Sequence, residues 1–282
     1  MRRLRPSAPF VDHEGHKGLW ERLSKAQKHD VLEFDISLGN LMGTSRSLGI
    51  AVLSDVHMGS HTDDLNRLQT IVDEINAWEC DLVLLPGDFM NTQILGGGRV
   101  PPQVTAEILA KLQPKIGCFA VLGNHDWHYD GHSVWRALED VGITVLENAS
   151  VQLPEEHTDI WIVGLADHQT RIPDWRRAIS NVPKNVAKLV LAHDPASFAL
   201  LPDQDLLAVC GHTHGGQIVL PGVGPLTNSS SAPMRWTSGY VLEGQKQMLV
   251  SRGIGTSILP IRIGCKPDVL RVTLTGSLQE EK

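Results

Sequence analysis

The most restrictive feature of this sequence is a regular alternation, from Gly49 onward, between short apolar runs and amphipathic stretches of helical period. One amphipathic stretch places Leu68, Ile71 and Ile75 on one face of a helix, with Thr62 as its predicted N-cap. A second helix is predicted over 133–141, and strands interleaved with helices predict an α/β fold. The predicted strands span residues 50–53, 82–85, 117–122, 160–165, 189–192 and 206–210.

Composition and length limit the classes of protein that this chain can be. Its 282 residues are 41% hydrophobic and 20% charged, which excludes a disordered chain. Residues 1–48 are predicted to form an N-terminal appendage with a strand at 31–36, and residues 49–275 one large domain that becomes mostly β after Gly215. A net charge of −7 argues against a broad nucleic-acid surface, because such surfaces concentrate positive charge.

The four cysteines and the N-terminal residues indicate in which cellular compartment the protein is expected. None of the cysteines lies in a C-x-x-C pair, so we expect buried free thiols and a reducing, cytoplasmic environment. The arginine pair at Arg2 and Arg3 is not followed by an apolar signal region, and no apolar run reaches the ~18 residues of a membrane span. Export and a transmembrane segment are therefore not predicted.

Polar side chains follow five of the apolar runs at the point where each run ends. In an open α/β sheet the loops at the carboxyl ends of the strands share one edge and form the ligand crevice. Separate segments of the chain are thus expected to converge on one place. The candidate donors in these segments are Asp55, His57, Asp88, Asn124, His193, His212 and His214.

The chemistry of these donors predicts a metal site. Imidazole nitrogens with carboxylate or amide oxygens, without thiolate, suit Mn, Fe or Zn. Seven donors exceed the needs of one four-coordinate ion, which favours two divalent metal ions that share a ligand. Asp88 is the predicted bridge, because a carboxylate has two oxygens. Two divalent ions, two carboxylates and a bridging hydroxide leave a positive charge, so the expected substrate is a small phosphate ester.

The ordered motifs Asp55-x-His57, Gly87-Asp88, Gly123-Asn124-His125-Asp126, His193 and Gly211-His212-Thr213-His214 resemble the signature of the calcineurin-like metallophosphoesterase superfamily. The resemblance covers about residues 49–215. It implies a four-layer αββα sandwich with two metal ions. One ion would be held by Asp55, His57, Asp88 and His214. The other would be held by Asp88, Asn124, His193 and His212.

The resemblance also implies catalytic roles for two residues that are not metal ligands. His125 would contact the scissile phosphate and protonate the leaving oxygen, and Asp126 would orient His125. The segment that continues from Gly215 to Pro221, and the ending Gly253-Ile254-Gly255 with Pro260 and Arg262, resemble a bacterial branch of the superfamily. That branch contains predicted phosphohydrolases and relatives that cleave a UDP-linked lipid, so nucleotide-linked and lipid-linked esters are both candidate substrates.

The sequence leaves several alternatives open. The predicted activity is that of a phosphodiesterase or pyrophosphatase, with a phosphomonoesterase and a non-catalytic interaction scaffold as alternatives. Trp127 and Tyr129 either stack on a substrate base or sugar or pack beside the site. Arg171 and Arg252 either contact substrate phosphate or are solvated. The sequence does not indicate an oligomeric state.

Overall fold

The computed structural model describes residues 25–41, 47–61, 63–92, 98–154 and 159–276. Thr62, the predicted helix cap, lies outside the described residues. The strands are β1 (Asp30–Leu38), β2 (Leu48–Val52), β3 (Leu82–Leu85), β4 (Gly117–Ala120), β5 (Thr144–Val145), β6 (Ala149–Gln152), β7 (Ile160–Gly164), β8 (Ala187–Leu191), β9 (Leu206–Cys210), β10 (Val219–Leu220), β11 (Gly224–Pro225), β12 (Gly239–Glu243), β13 (Lys246–Val250) and β14 (Asp268–Gly276).

The helices lie mostly in the first half of the described chain. They are α1 (Asp64–Ala77), α2 (Pro102–Leu109), α3 (Asn124–Glu139) and the single turn α4 (Trp175–Ala178). Shorter 3₁₀ turns span Pro195–Leu200, His214–Gly216 and Met234–Trp236. No described helix has the length and hydrophobicity that a membrane span requires.

Two six-stranded sheets with similar internal order form the centre of the molecule. The first has the order β1-β14-β2-β3-β4-β5 and the second β12-β13-β9-β8-β7-β6. Strands β2 to β5 are parallel, and so are β7, β8, β9 and β13. Every residue of β3, β8 and β9 is buried, as expected for parallel strands covered on both faces.

Three hydrophobic clusters separate the molecule into four layers. Ile50 and Leu84 of the first sheet and Leu189 and Leu207 of the second belong to one cluster, so the sheets pack face to face. A second cluster joins α1, α2 and α3 to the outer face of the first sheet, and a third covers the outer face of the second sheet. The predicted four-layer αββα sandwich is confirmed.

The predicted strand at 31–36 is confirmed as β1, but its place in the sheet, like the start of one helix, differs from what periodicity alone indicates. β1 lies within the predicted appendage 1–48, yet it is an edge strand of the first sheet, paired in parallel with β14 from Asp30 opposite Asp268. Helix α3 begins at Asn124, whereas the apolar period predicted a start near residue 133. The period did not reveal the first part of the helix because a kink at Asp130, with φ −176° and ψ 87°, interrupts it. The early start places Asn124 and His125 in the first turn of α3. The division of the chain at residue 48 stays a prediction.

The four cysteines are free thiols, as predicted. Cys80, Cys210 and Cys265 are buried, and Cys118 is half-buried. Burial raises the pKa of Cys118 to about 12, with a smaller contribution from Cys80, so this thiol stays protonated at neutral pH.

Candidate metal centre

The carboxyl edges of the two sheets bring all seven predicted donors into one cluster of contacts. Asp55 and His57 follow β2, Asp88 follows β3, and Asn124 follows β4. From the second sheet, His193 follows β8, and His212 and His214 follow β9. All seven side chains are buried. The predicted convergence of these segments is therefore present in the fold.

The donors form two groups that meet at Asp88. In the first donor group, Asp55, His57 and His214 place one ligand atom each within 4.8 Å of the others. Asp88, His193 and His212 do the same in the second donor group.

The Asp88 carboxylate contacts both groups through one oxygen. Asp88 Oδ2 lies 3.4 Å from His57 Nε2 and 3.2 Å from His193 Nε2. Its other oxygen accepts a hydrogen bond of 2.8 Å from the backbone N–H of His125. This is the geometry that a shared ligand between two metal ions requires.

The backbone at the sheet edge is held in a conformation that most residues avoid. A positive φ is uncommon outside glycine and concentrates at functional sites, where the surrounding structure enforces it. This conformation turns the side chains inward from the strand ends. The donors with positive φ are Asp55 (49°), His57 (43°), Asp88 (57°), His212 (69°) and His214 (51°).

Two glycines make room for the donors. A Cβ atom at Gly123 would lie 2.7 Å from His193 Nε2 and would overlap Asp88 Oδ1. A Cβ atom at Gly211 would overlap an oxygen of Asp55. The glycines of the Gly123-Asn124 and Gly211-His212 motifs are therefore required by the close approach of the carboxylates.

Backbone carbonyls fix the histidines of the second donor group. His193 Nδ1 lies 2.8 Å from Pro86 O, and His212 Nε2 lies 2.9 Å from Ser229 O. Because a carbonyl only accepts, each of these nitrogens is assigned the ring proton and donates it. His193 Nε2 and His212 Nδ1 then face each other at 3.1 Å, and Asn124 Oδ1 lies 3.1 Å from His193 Nε2. Lone pairs that converge in this way suit a cation.

The first donor group lacks this carbonyl support among the described residues. His57 Nε2 and His214 Nε2 are 3.1 Å apart and lie 3.8 Å and 3.7 Å from Asp55 Oδ1. His57 Nδ1 is buried with no hydrogen-bond partner in the described part of the chain. His214 Nδ1 instead lies 3.3 Å from Arg262 Nη2. The inner nitrogens still converge on one point beside the Asp55 carboxylate.

The electrostatics of the cluster also fit a divalent cation. Burial lowers the pKa of His57 and His214 well below the usual value, so both rings are neutral and able to ligate. Burial would lower the pKa of His193 as well, but Asp88 raises it well above the usual range. For Asp88, burial favours a raised pKa and His193 overcomes it, so the pKa of Asp88 is lowered. A positive charge on His193 thus offsets the buried carboxylate, and a metal ion can replace that proton.

His125 lies beside the two donor groups and is half-buried. Its ring centroid is 4.6 Å from that of His57. Its Nε2 lies 3.2 Å from Ser257 Oγ, and its Nδ1 contacts Thr92 Oγ1. These hydroxyls hold the ring at the edge of the cluster.

Asp126 has different partners from those that the family resemblance implies. Its carboxylate accepts backbone N–H bonds from Asp88 (2.9 Å), Phe89 (2.8 Å), Met90 (3.0 Å) and Gly123 (3.0 Å). In the described residues the ring of His125 is held by hydroxyls and not by Asp126. Asp126 therefore ties the first turn of α3 to the loop after β3, and it positions Asp88 through the backbone.

Arg262 is a site residue for which the sequence predicted no role. This buried guanidinium donates to His214 O at 3.0 Å, to Arg252 O at 2.6 Å and to Gly255 O at 2.7 Å. Gly255 N in turn donates to Asp55 O at 2.7 Å. Arg262 therefore ties the C-terminal segment to the first donor group. Its presence in the C-terminal motif of the bacterial branch was the available signal.

The geometry agrees with comparison against known families. Residues 48–216 match the family model described as calcineurin-like phosphoesterase. This match spans more than half of the chain, so the chain belongs to the calcineurin-like phosphoesterase family. Members of the family are metal-dependent phosphoester hydrolases, and the buried Asp and His clusters suit divalent metal ions.

Two relatives in sequence support the same assignment. The chain is 30% identical over 231 residues to an uncharacterized metallophosphoesterase, YkuE, of Bacillus subtilis strain 168, covering 81% of this chain and 79% of that protein. It is 31% identical over 204 residues to the phosphodiesterase YaeI of Escherichia coli strain K12, covering 69% and 70%. Among solved structures, a 5'-nucleotidase precursor from Thermus thermophilus matches with a TM-score of 0.47 and 15% identity, covering 81% of this chain and 55% of that one.

Proposed function

We propose that this protein is a dinuclear metal-dependent phosphohydrolase that cleaves phosphodiesters or pyrophosphates. The observation that carries the proposal is the Asp88 carboxylate, one oxygen of which lies within 3.4 Å of His57 and of His193 in the other donor group. A single side chain that joins two groups of buried donors is what two ions sharing one ligand require. The similarity to a relative named as a phosphodiesterase favours the diester over the monoester.

The donor groups define which residues would hold each ion. Asp55, His57, Asp88 and His214 would hold one ion. Asp88, Asn124, His193 and His212 would hold the other. Manganese, zinc and iron suit this set of nitrogen and oxygen donors. When bound, the pair would supply an activated water nucleophile and stabilise the charge that develops on the phosphate.

The chain's own groups perform the remaining steps. His125 Nε2 contacts the bound phosphate and passes a proton to the leaving oxygen, and Ser257 and Thr92 orient its ring. Asp126 keeps Asp88 and the first turn of α3 in place through four backbone bonds. Burial of the donors excludes bulk water from the charged cluster, which strengthens each interaction within it. The free cysteines favour the cytoplasm as the proposed location.

The direct test is a hydrolysis assay with a matched pair of esters. Bis(4-nitrophenyl) phosphate and 4-nitrophenyl phosphate release the same phenol, and each is assayed with Mn²⁺, Zn²⁺ or Mg²⁺ and with a chelator. We expect metal-dependent hydrolysis with a higher kcat/KM for the diester. Faster hydrolysis of the monoester would support a phosphomonoesterase instead. Absence of metal-dependent hydrolysis of either ester would support the scaffold alternative.

A further inference from the structure

An open cleft of about 510 Å³ lies beside α3, outside the two donor groups. Its volume falls in the range of ~300–1,000 Å³ that is usual for small-molecule sites. Two indole rings and two guanidinium groups give it a combination of planar and cationic side chains. The cleft is lined by Trp127, His132, Trp135, Arg136, Glu147 and Arg171.

Arg171 forms a fixed planar platform in this cleft. Its guanidinium carbon lies 4.5 Å from the centroid of the Trp127 ring. Glu147 accepts hydrogen bonds from Arg171 Nη2 at 2.8 Å and from Arg171 Nε at 3.2 Å, which sets the orientation of the guanidinium plane. The Arg171 side chain is nevertheless 44% exposed. A stacked, paired arginine that remains accessible can accept a further aromatic ring.

The loop that carries Arg171 is fixed before any ligand binds. Asn148 Oδ1 accepts from Ala166 N at 3.1 Å and from Asp174 N at 2.9 Å. Asn148 Nδ2 donates to Ile172 O at 2.8 Å. One side chain thus fastens both ends of the loop, so little conformational entropy is lost when a ligand stacks on Arg171.

The same loop and α3 connect the cleft to the donor groups. Gln169, two residues before Arg171, donates from Nε2 to Ser229 O at 2.9 Å, and the same carbonyl lies 2.9 Å from His212 Nε2. The loop that carries Arg171 therefore reaches the second donor group, and α3 carries both His125 and Trp127.

We propose that this cleft binds a planar aromatic ring of the substrate, of the nucleobase class, by stacking on Arg171. This inference rests on the proposed function, because the loop that carries Arg171 also contacts the second donor group of the proposed reaction centre. Trp127 packs against the opposite face of the guanidinium, and the two hydrogen bonds to Glu147 fix the orientation of its plane. The platform recognises a flat ring with delocalised electrons rather than the charge of the phosphate.

The test compares the affinities of two phosphate monoesters that share a sugar. Adenosine 5'-monophosphate and ribose 5-phosphate are titrated by calorimetry into the full chain in the presence of Mn²⁺. Stacking of a base predicts about tenfold tighter binding of the nucleotide. Arg171→Met removes the planar group from an exposed side chain, and it should bring the ratio of the two affinities close to one. Arg171→Lys keeps the charge without the plane, and it should lose the preference as well.

A matched control and the opposing outcomes complete the design. Arg176→Met changes an exposed arginine outside the cleft and should leave the ratio of affinities unchanged. Equal affinities in the unmodified chain would overturn the inference, and so would a preference that survives Arg171→Met or Arg171→Lys. Calorimetry measures binding and does not depend on catalysis, so the proposed function is tested separately by the hydrolysis assay. If the protein hydrolysed no ester but still bound the nucleotide more tightly, the proposed function would be contradicted and the inference that the cleft binds an aromatic ring would stand.

Discussion

The two donor groups differ in what holds their histidines, although both are buried at the same sheet edges. In the second donor group, His193 and His212 each donate an outer ring proton to a backbone carbonyl. In the first donor group, His214 contacts the buried side chain of Arg262, and His57 Nδ1 has no hydrogen-bond partner in the described part of the chain. Carbonyl acceptors are fixed by the fold and do not titrate. The first donor group instead depends on charged side chains of the C-terminal segment.

The candidate metal centre therefore has two differently supported halves. Backbone carbonyls hold the histidines of the second donor group, and side chains of the C-terminal segment support the first donor group. Arg262 donates to the carbonyls of residues 252, 253 and 255, and Asp268 accepts from Ser251 Oγ at 2.7 Å and from Arg252 N at 2.9 Å. Hydrogen-bond partners of ligating histidines commonly change metal affinity by about 10–100-fold when they are altered. Side-chain changes are therefore expected to separate the two halves. His125 and Asp88, which lie against both groups, should affect the whole site.

The largest expected effect belongs to His125, which contacts the ring of His57 and bonds Asp88 through its backbone N–H without being a proposed ligand. His125→Ala should retain both metal ions and lose about 10²–10⁴ in kcat, the usual contribution of a general acid. Steady-state kinetics on bis(4-nitrophenyl) phosphate, with metal content measured by elemental analysis, checks both parts. His128→Ala removes a nearby exposed histidine and serves as the control. Unchanged turnover in His125→Ala would remove the assigned role.

The next effect concerns the side chain that joins the two halves. Asp88→Asn should lower the affinity of both metal sites, each by at least about tenfold, because the amide is uncharged and has only one oxygen, so it cannot both bind the ions and accept from His125 N. Elemental analysis after dialysis should then give less than the two equivalents retained by the unmodified protein. Asp64→Asn changes a buried carboxylate that bonds His61, and it should keep both ions. Two full equivalents in Asp88→Asn would refute the shared ligand.

The sequence predicted that these seven side chains converge because each one follows an apolar strand, and strand ends in such a sheet have a common location; that they are metal ligands stays a prediction. It could not predict what supports them. The partners of His125, Thr92 and Ser257, are 33 and 132 residues away, and Arg262 is 48 residues from His214. Such contacts depend on how loops pack and leave no periodic pattern.

The fold shows the same division between local and long-range information. The strands next to the motifs were predicted within a few residues. The parallel pairing of β1 with β14 joins residues more than 200 positions apart and could not be inferred from local patterns.

The third expected effect concerns Asp268, the buried carboxyl behind the first donor group, and is measured as a pH dependence of the free energy of unfolding. Burial raises the pKa of Asp268 to about 6, from 3.8. A carboxyl with a raised pKa in the folded state stabilises the fold fully below pH ~4, and this contribution is lost as the pH rises through 6. Relative to Asp268→Asn, the free energy of unfolding of the unmodified protein should therefore fall by up to about 3 kcal/mol between pH 4 and pH 7. Urea unfolding with chelator present measures it. A difference that is constant or rises with pH would contradict the assignment.

The smallest expected effect distinguishes the two halves most sharply. Arg262→Lys keeps the charge but loses the forked donors that hold His214 O, Arg252 O and Gly255 O, so the first donor group should bind its ion about tenfold more weakly. Gln169→Ala removes a side chain that bonds Ser229 O, the carbonyl that accepts from His212, and it should weaken the other ion instead. Calorimetric titration with Mn²⁺ resolves two binding steps, and the two variants should shift different steps. Equal weakening of both binding steps by Arg262→Lys would contradict this prediction. It would mean that Arg262 supports both donor groups, and that the difference between histidines bonded to carbonyls and histidines beside Arg262 does not set metal affinity.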